Sequence, residues 1–396
     1  MNPFRLYRDA FAGLPGRTWL LAGAGFLNRA GSMVVPFLGL YLKDRFAYTP
    51  TEAGFVVGLY GAGAFVGSWL GGWLCDRLGA VRVQIATLVA TAIWMLVMAQ
   101  IADPNLLAVA TFVLGVCNDA FRPGSITAAV ESVAPHLRRK ALSLNRLAMN
   151  AGWAFGPTIG GYLVLVDFGW MFFANAAGCA CAALWLAVRL RGWNPRPEPH
   201  PDAARVPLEP FSDRHFLGLM GANLLVLIAF MQYFTTGSRV LEDTGYDKTQ
   251  IGWFLAINPI VITLFEMPTV HLLQRRRALP LVALGAAIVG LGYLAMLLPL
   301  GFVALLLAMV LVAAGELLQM PLLSAHVNEH APNRLRAAYN GAYGMTFCLA
   351  LVLAPPLGGY VYDHFGSTAL WWACAGAGLV SAGWVLALDR PVPARP

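Results

Sequence analysis

The chain has 396 residues, of which 58% are hydrophobic and only 12% charged, with a mean hydropathy of +0.64. A single soluble core cannot hide that much apolar surface, so a water-soluble globular protein is excluded and lipid must cover much of the exterior. The formal net charge of +7 is scattered over short polar loops, which argues against a basic domain and a nucleic-acid partner.

An apolar run of about 20 residues crosses the hydrocarbon layer as a helix, because every backbone N–H and C=O is then satisfied internally. In chain order, such runs predict helices over 18–42, 50–75, 83–102, 106–133, 141–166 and 168–188, then over 216–238, 249–273, 279–299, 302–327, 337–362 and 368–388. Between the sixth and seventh lies WNPRPEPHPDAARVPLEP, whose Pro and charge content forbids a spanning helix and marks a linker. The expected plan is an all-α membrane protein of twelve transmembrane helices: a six-helix bundle over 1–188, a linker over 189–215 and a second six-helix bundle over 216–396.

Lys and Arg fall in alternate loops. Arg5, Arg8 and Arg17, then Arg77 and Arg82, Arg138 to Lys140, the linker arginines, Arg275 to Arg277, Arg334 and Arg336, and Arg390 and Arg395 lie on one side. The other side holds little more than Lys43, Arg45 and Lys248. Short basic loops stay in the cytoplasm, so both termini are expected there, in a multi-pass protein of a bacterial inner membrane. The segment before Thr18 is polar and the first apolar run is too long for a signal core, so this run is expected to stay as a span. Cys75, Cys117, Cys179, Cys181, Cys348 and Cys374 lack the spacing of a metal site or a disulfide framework and read as packing residues.

The two halves repeat each other at an offset of about 198 residues. YTPTEAG (Tyr48, Glu52, Gly54) matches YDKTQIG (Tyr246, Gln250, Gly252), each entering a helix through a possible capping box. VESVAP at Val130 matches VNEHAP at Val327, and Gly160-Gly161-Tyr162 matches Gly358-Gly359-Tyr360. Parallel repeats of this kind place a solute path between two bundles.

The loop between the second and third spans carries Gly72, Asp76, Arg77 and Gly79 in GWLCDRLGAVR. With the twelve-helix plan, this motif makes the chain resemble the major facilitator superfamily over essentially its whole length. It looks like that family's G-x-x-x-D-R-x-G loop, departing at Ala80 and Val81, where the family has basic residues. Gly72 is expected to let helices pack closely, and Asp76 to accept hydrogen bonds from a facing helix N-terminus and latch an outward-facing state. The equivalent positions of the second half are Gln274 and Arg275, which makes the latch asymmetric. Gly152, Gly156, Pro157, Gly160 and Gly161 in the fifth span resemble the family's proton-antiporter motif and are expected to seal the cytosol-facing half against proton leak. The layout is similar to bacterial drug:proton antiporters and to exporters of dipeptides and other small metabolites.

Charges near the midplane cost a few kcal/mol unless they pair or meet water, which makes them functional candidates. They are Arg29 in the first span, Asp119 and Arg122 in the fourth, Glu266 in the eighth and Glu316 in the tenth. Glu316 aligns with Asn118 in the repeat, so it should face the central space from the second bundle and is the leading proton or cationic-substrate site. Asp119 and Arg122, three residues apart on one helical face, either pair as a static network or take part in transport. Glu131, Arg139, Glu329 and Arg336 mark helix ends expected to close a cytoplasmic gate. Trp153, Phe230, Tyr233, Trp253, Met320 and Tyr343 could line an adaptable apolar pocket, and His271 reads as interfacial.

The function expected is proton-coupled export of small solutes by alternating access; proton-coupled import of a peptide, siderophore or sugar is the alternative. Small-molecule substrate, protons and the lipid bilayer are the expected partners, with a monomer as the working unit. No P-loop, H-E-x-x-H motif or metal-ligand cluster stands in the sequence, so neither an enzyme activity nor a cofactor or metal is expected.

Overall fold

The computed structural model describes residues 11–196, 209–273, 276–332 and 335–389, with the side chains of His271 and Ala337 left out. Arg5, Arg8, Gln274, Arg275, Arg334, Arg390, Arg395 and residues 197–208 of the linker therefore lie outside the described residues. Among the described residues there are only helices, turns and bends.

Nine helices are long and apolar enough to cross a membrane, and three local features bring the count of spans to twelve. The last helix, Arg336–Leu388, is two spans joined at Gly366, whose φ of 80° only glycine adopts without strain. The first span is broken into Gly16–Ala30 and Val34–Phe46. The fifth, Arg138–Val166, carries several polar residues on its first turns. The others are the second (Pro50–Leu78), third (Ala80–Met98), fourth (Pro104–Asp119 with Phe121–Glu131), sixth (Gly169–Arg189), seventh (Arg214–Phe234, followed beyond the span by the short helix Thr236–Asp243), eighth (Lys248–Leu273), ninth (Ala278–Ala295) and tenth (Phe302–His330).

Local chemistry explains where the helices begin. Thr49 and Glu52 close a reciprocal capping box, with Thr49 Oγ1 accepting from the Glu52 N–H at 3.2 Å and Glu52 Oε2 from the Thr49 N–H at 2.9 Å. Asp247 and Gln250 do the same at the repeated position, at 2.8 and 3.0 Å. Asp103 caps the fourth span and Asp213 the seventh, through the N–H groups of Leu106 and Phe216.

The second span is a ruler of small residues with two faces. Gly63, Gly67 and Gly71 lie against the backbone of Phe112, Val116 and Ala120 in the fourth span, within the first half. Gly54, Gly58 and Gly61 lie against Pro355, Val352 and Leu351 in the eleventh, across to the second half. The fifth and eighth spans form the other close contact between halves: a Cβ on Gly252 would come within 2.6 Å of the Pro157 carbonyl oxygen. Lipid chains are as apolar as the spans, so close backbone approach rather than hydrophobic burial is what associates them.

Candidate functional site

The two halves meet differently at their two ends. At the end away from the Arg-rich loops, Lys43 Nζ reaches Glu242 Oε2 at 2.8 Å and Asp243 Oδ1 at 2.6 Å. Lys248 pairs with Asp44 and with Glu242. Arg239 donates to the Tyr48 carbonyl at 3.3 Å, and Thr51 to Asp363 at 2.8 Å. Burial pushes the Asp243 carboxyl up, but hydrogen bonds from Lys43 and Tyr362 and the Arg239 charge outweigh it and hold the group below the usual carboxylate range. This interlock, which we call the Lys43 end, was not visible in the sequence: Lys43 and Lys248 stood out only as rare cations, and the acidic partners they take across the halves lie about 200 residues away.

The antiporter-like glycines also belong to this end. A Cβ on Gly152 would meet Phe26 O at 2.6 Å, one on Gly156 Ser32 O at 2.9 Å, and one on Gly160 Met33 Cβ at 2.9 Å. These three glycines therefore cradle the break in the first span. Gly161 faces the Lys248 carbonyl, and the Pro157 carbonyl faces Gly252. From Gly152 to Gly161 the fifth span runs away from its Arg-rich start, so the motif makes its contact beside Lys248 rather than at the Arg-rich end, where the seal was expected.

At the Arg-rich end ion pairs between the halves are sparser among the described residues. Gly72 would meet nothing within 4 Å if it carried a Cβ, so the close packing expected there is not formed. Asp76 is exposed, and Arg77 lies 3.9 Å over the Trp73 ring. Gly79, with φ of 90°, turns the loop and leaves room for Asn194, which accepts from the N–H groups of Val81 and Arg82 at 3.1 Å each and donates to the Leu78 carbonyl at 2.7 Å. Glu131 is approached by Arg138 at 3.8 Å within its own half rather than by Arg139. Glu329, Arg139 and Arg336 are exposed, and among the described residues they form no ion pair between halves.

The exception is Arg146 of the fifth span, which forms an ion pair with Glu266 of the eighth. Glu266 is buried, with a side chain only 9% exposed, against 51% for Arg146. The sequence reading missed Arg146 because it lies two turns into a helix that starts with basic loop residues, so its charge read as part of the loop. A small cleft lined by Ser143, Arg146, Leu147, Glu266, Met267 and Val270 opens at this pair.

Deeper in, Glu316 of the tenth span accepts from Asn258 Nδ2 at 2.7 Å, and its charge interacts with Arg146 across the halves. The first half holds the same arrangement in outline. Tyr60 accepts from Asn118 Nδ2 at 2.6 Å and donates to Asp119 Oδ2 at 2.9 Å. Tyr60 and Asn118 are 58 residues apart, as are Asn258 and Glu316, so the second and eighth spans each present a polar side chain to the fourth and tenth at equivalent depth.

Asp119 thus partners Tyr60 and makes no ion pair with Arg122; both interact electrostatically with Cys348 of the eleventh span, and Arg122 lies 5.9 Å from the Phe347 ring. Arg29 is buried at 9% exposure and sits 5.9 Å over Trp153, whose ring in turn meets Phe234 of the second half at 5.2 Å. Of the aromatic candidates, Phe230 and Tyr233 are buried beside each other, Tyr343 donates to the Met320 carbonyl, and Trp253 is turned outward. Gln319, one turn beyond Glu316, donates to Asn223, which donates to Thr346, at 2.8 Å each.

Two pseudo-symmetric bundles, interlocked at one end and lined with acidic and basic groups where they face each other, define a class: a multi-pass membrane transporter of small molecules. The Major Facilitator Superfamily profile matches residues 21–240 and 223–396, and the chain belongs to that family. The uncharacterized MFS-type transporter YqjV of Bacillus subtilis is 24% identical over 88% of this chain and 86% of its own. The multidrug resistance protein MdtH of Yersinia pestis is 23% identical over 84% of this chain and 82% of its own. The crystal structure of the peptide transporter POT in complex with sulfate superimposes with a TM-score of 0.80 over 98% of both chains at 18% identity, a likeness of fold.

Proposed function

We propose that this transporter is a proton-coupled exporter of small solutes, drug-like compounds or small metabolites, working by alternating access in the bacterial inner membrane with both termini in the cytoplasm. The working units are taken as residues 1–188 and 216–396 with the linker 189–215 between them. The observation that carries the reading is the setting of Glu316: a carboxyl inside the membrane, held by Asn258 and facing the guanidinium of Arg146 on the opposite half.

Glu266 and Glu316 then compete for one cation. An ionised Glu316 draws Arg146 inward, while protonation leaves Arg146 to Glu266 alone, so the charge state of Glu316 alters what holds the halves together at the Arg-rich end. A proton and a cationic or zwitterionic solute competing for Glu316 couple the two fluxes. Export rather than import is supported by the antiporter-like motif of Gly152 to Gly161 and by the relatedness to a protein named for multidrug resistance.

The test is proton movement in inverted vesicles carrying the wild type or Glu316→Gln, read with a pH probe after addition of drugs, dipeptides and sugars. A solute-dependent response in the wild type and none in the variant is the expected result. An equal response in both would remove Glu316 from the coupling step; proton flow in the direction of symport would replace export with uptake.

A further inference from the structure

Away from the path between the halves, three imidazoles converge at the Arg-rich end of the second half. His215 lies on the first turn of the seventh span, and His326 and His330 lie four residues apart on one face of the tenth. One ring nitrogen from each lies within 4.8 Å of the other two. The ring centroids are 5.3 Å apart for His215 and His330, 6.1 Å for His326 and His330 and 6.3 Å for His215 and His326.

Two details single out lone pairs. Asp213 Oδ2 can only accept, so in the neutral imidazole the 2.7 Å contact with His330 Nε2 places the proton on that nitrogen and leaves Nδ1 as a lone pair. The same oxygen accepts from the Tyr339 hydroxyl at 3.0 Å, which fixes the carboxylate. His326 Nε2 is buried and has no hydrogen-bond partner, an arrangement that costs free energy unless something else occupies it.

We propose that His215, His326 and His330 form a binding site for a divalent transition-metal ion of the imidazole-preferring kind, Zn²⁺ being the probe, with Asp213 orienting His330. A carboxylate that holds the second nitrogen of a ligating histidine fixes its tautomer and raises its basicity. Zinc bonds to imidazole nitrogen of about 2.0–2.1 Å require the nitrogens to draw together by roughly 1 Å from their present spacing, within reach of side-chain torsions. Asp389 and Glu329 also act electrostatically on this cluster and favour a cation, although Arg277 sits on Asp389 at 3.0 Å. The ion would tie the start of the seventh span to the end of the tenth, both in one half, so binding does not depend on the coupling proposed for Glu316.

The test is equilibrium Zn²⁺ binding to the full-length detergent-purified protein without a polyhistidine tag, followed by Co²⁺ substitution and visible absorption. One saturable site is expected, with the d–d bands of a nitrogen and oxygen environment and no thiolate charge-transfer band. His326→Ala and His215→Ala should each weaken it at least tenfold, while Glu316→Gln, in the other part of the tenth span, changes it less than threefold. No saturable site in the wild type, wild-type affinity in both histidine variants, or a thiolate band would overturn the proposal. Should His326→Ala fail to fold, the His215→Ala comparison and the wild-type Co²⁺ spectrum still decide it.

Discussion

Arg146 and Glu266 form an ion pair between the two halves, and the same guanidinium interacts with Glu316. One half thus supplies the cation and the other supplies both anions. Removing one partner of a buried pair leaves the other charge uncompensated, at a cost of about 3–5 kcal/mol when burial is complete. Arg146 is half exposed, so the cost here falls well below that range.

Arg146→Ala should therefore lower solute-driven proton movement at least tenfold while retaining most of the protein in the membrane. Exchanging the charges, with Arg146→Glu and Glu266→Arg together, should recover part of the loss that either single change causes. Transport assays of the two single variants and the double variant measure the coupling between the sites; additive losses would show that the two side chains act independently of each other.

Asp243 anchors the Lys43 end. Its folded-state pKa lies below the unfolded value, so its contribution is fully present above the usual carboxylate range and is lost only as pH falls through the depressed value. Between pH 8 and pH 5 the interlock should hold. A cysteine placed at the buried Val57 should label with maleimide no faster at pH 5 than at pH 8 when each rate is divided by that of the same cysteine in denatured protein at the same pH, which removes the pH dependence of the thiolate, and several-fold faster once Glu242→Gln and Asp243→Asn remove the partners of Lys43.

Gly54 and Gly72 share a helix and a residue type but not an environment. A Cβ on Gly54 would come within 2.7 Å of the Pro355 carbonyl carbon and 2.9 Å of Pro356 Cα, whereas one on Gly72 would meet nothing within 4 Å. Gly54→Ala should wedge the second and eleventh spans apart and lower the melting temperature by several degrees. Gly72→Ala should change stability by less than about 0.5 kcal/mol. If Gly72 packs against another helix only when the Arg-rich end closes, Gly72→Ala will slow turnover without affecting melting.

Asn194 satisfies two backbone N–H groups at the start of the third span and one carbonyl at the end of the second. Asn194→Ala removes all three bonds, and the loss of such a cap costs about 1 kcal/mol. A melting shift of a few degrees, without a change in the pH-probe response, is the expected outcome.

The number of spans, the two-bundle plan, the repeat and both capping boxes were legible in the sequence because each depends on neighbours a few residues apart. A run of apolar residues, an Asp or Thr three positions before Glu or Gln, and a Gly every fourth residue carry the same consequences wherever the chain later goes. The depth of Glu316 followed equally well, since the repeat aligned it with Asn118 and the structure holds both at matching positions. Which charges meet was decided only by tertiary structure. Asp119 and Arg122 share a helical face, yet Asp119 turns to Tyr60 of the second span. Arg146 takes Glu266, and Lys43 takes Glu242 and Asp243. The antiporter-like motif found its partners beside Lys248 for the same reason: contacts between bundles depend on how two helical bodies dock, and local sequence pattern carries no record of that geometry.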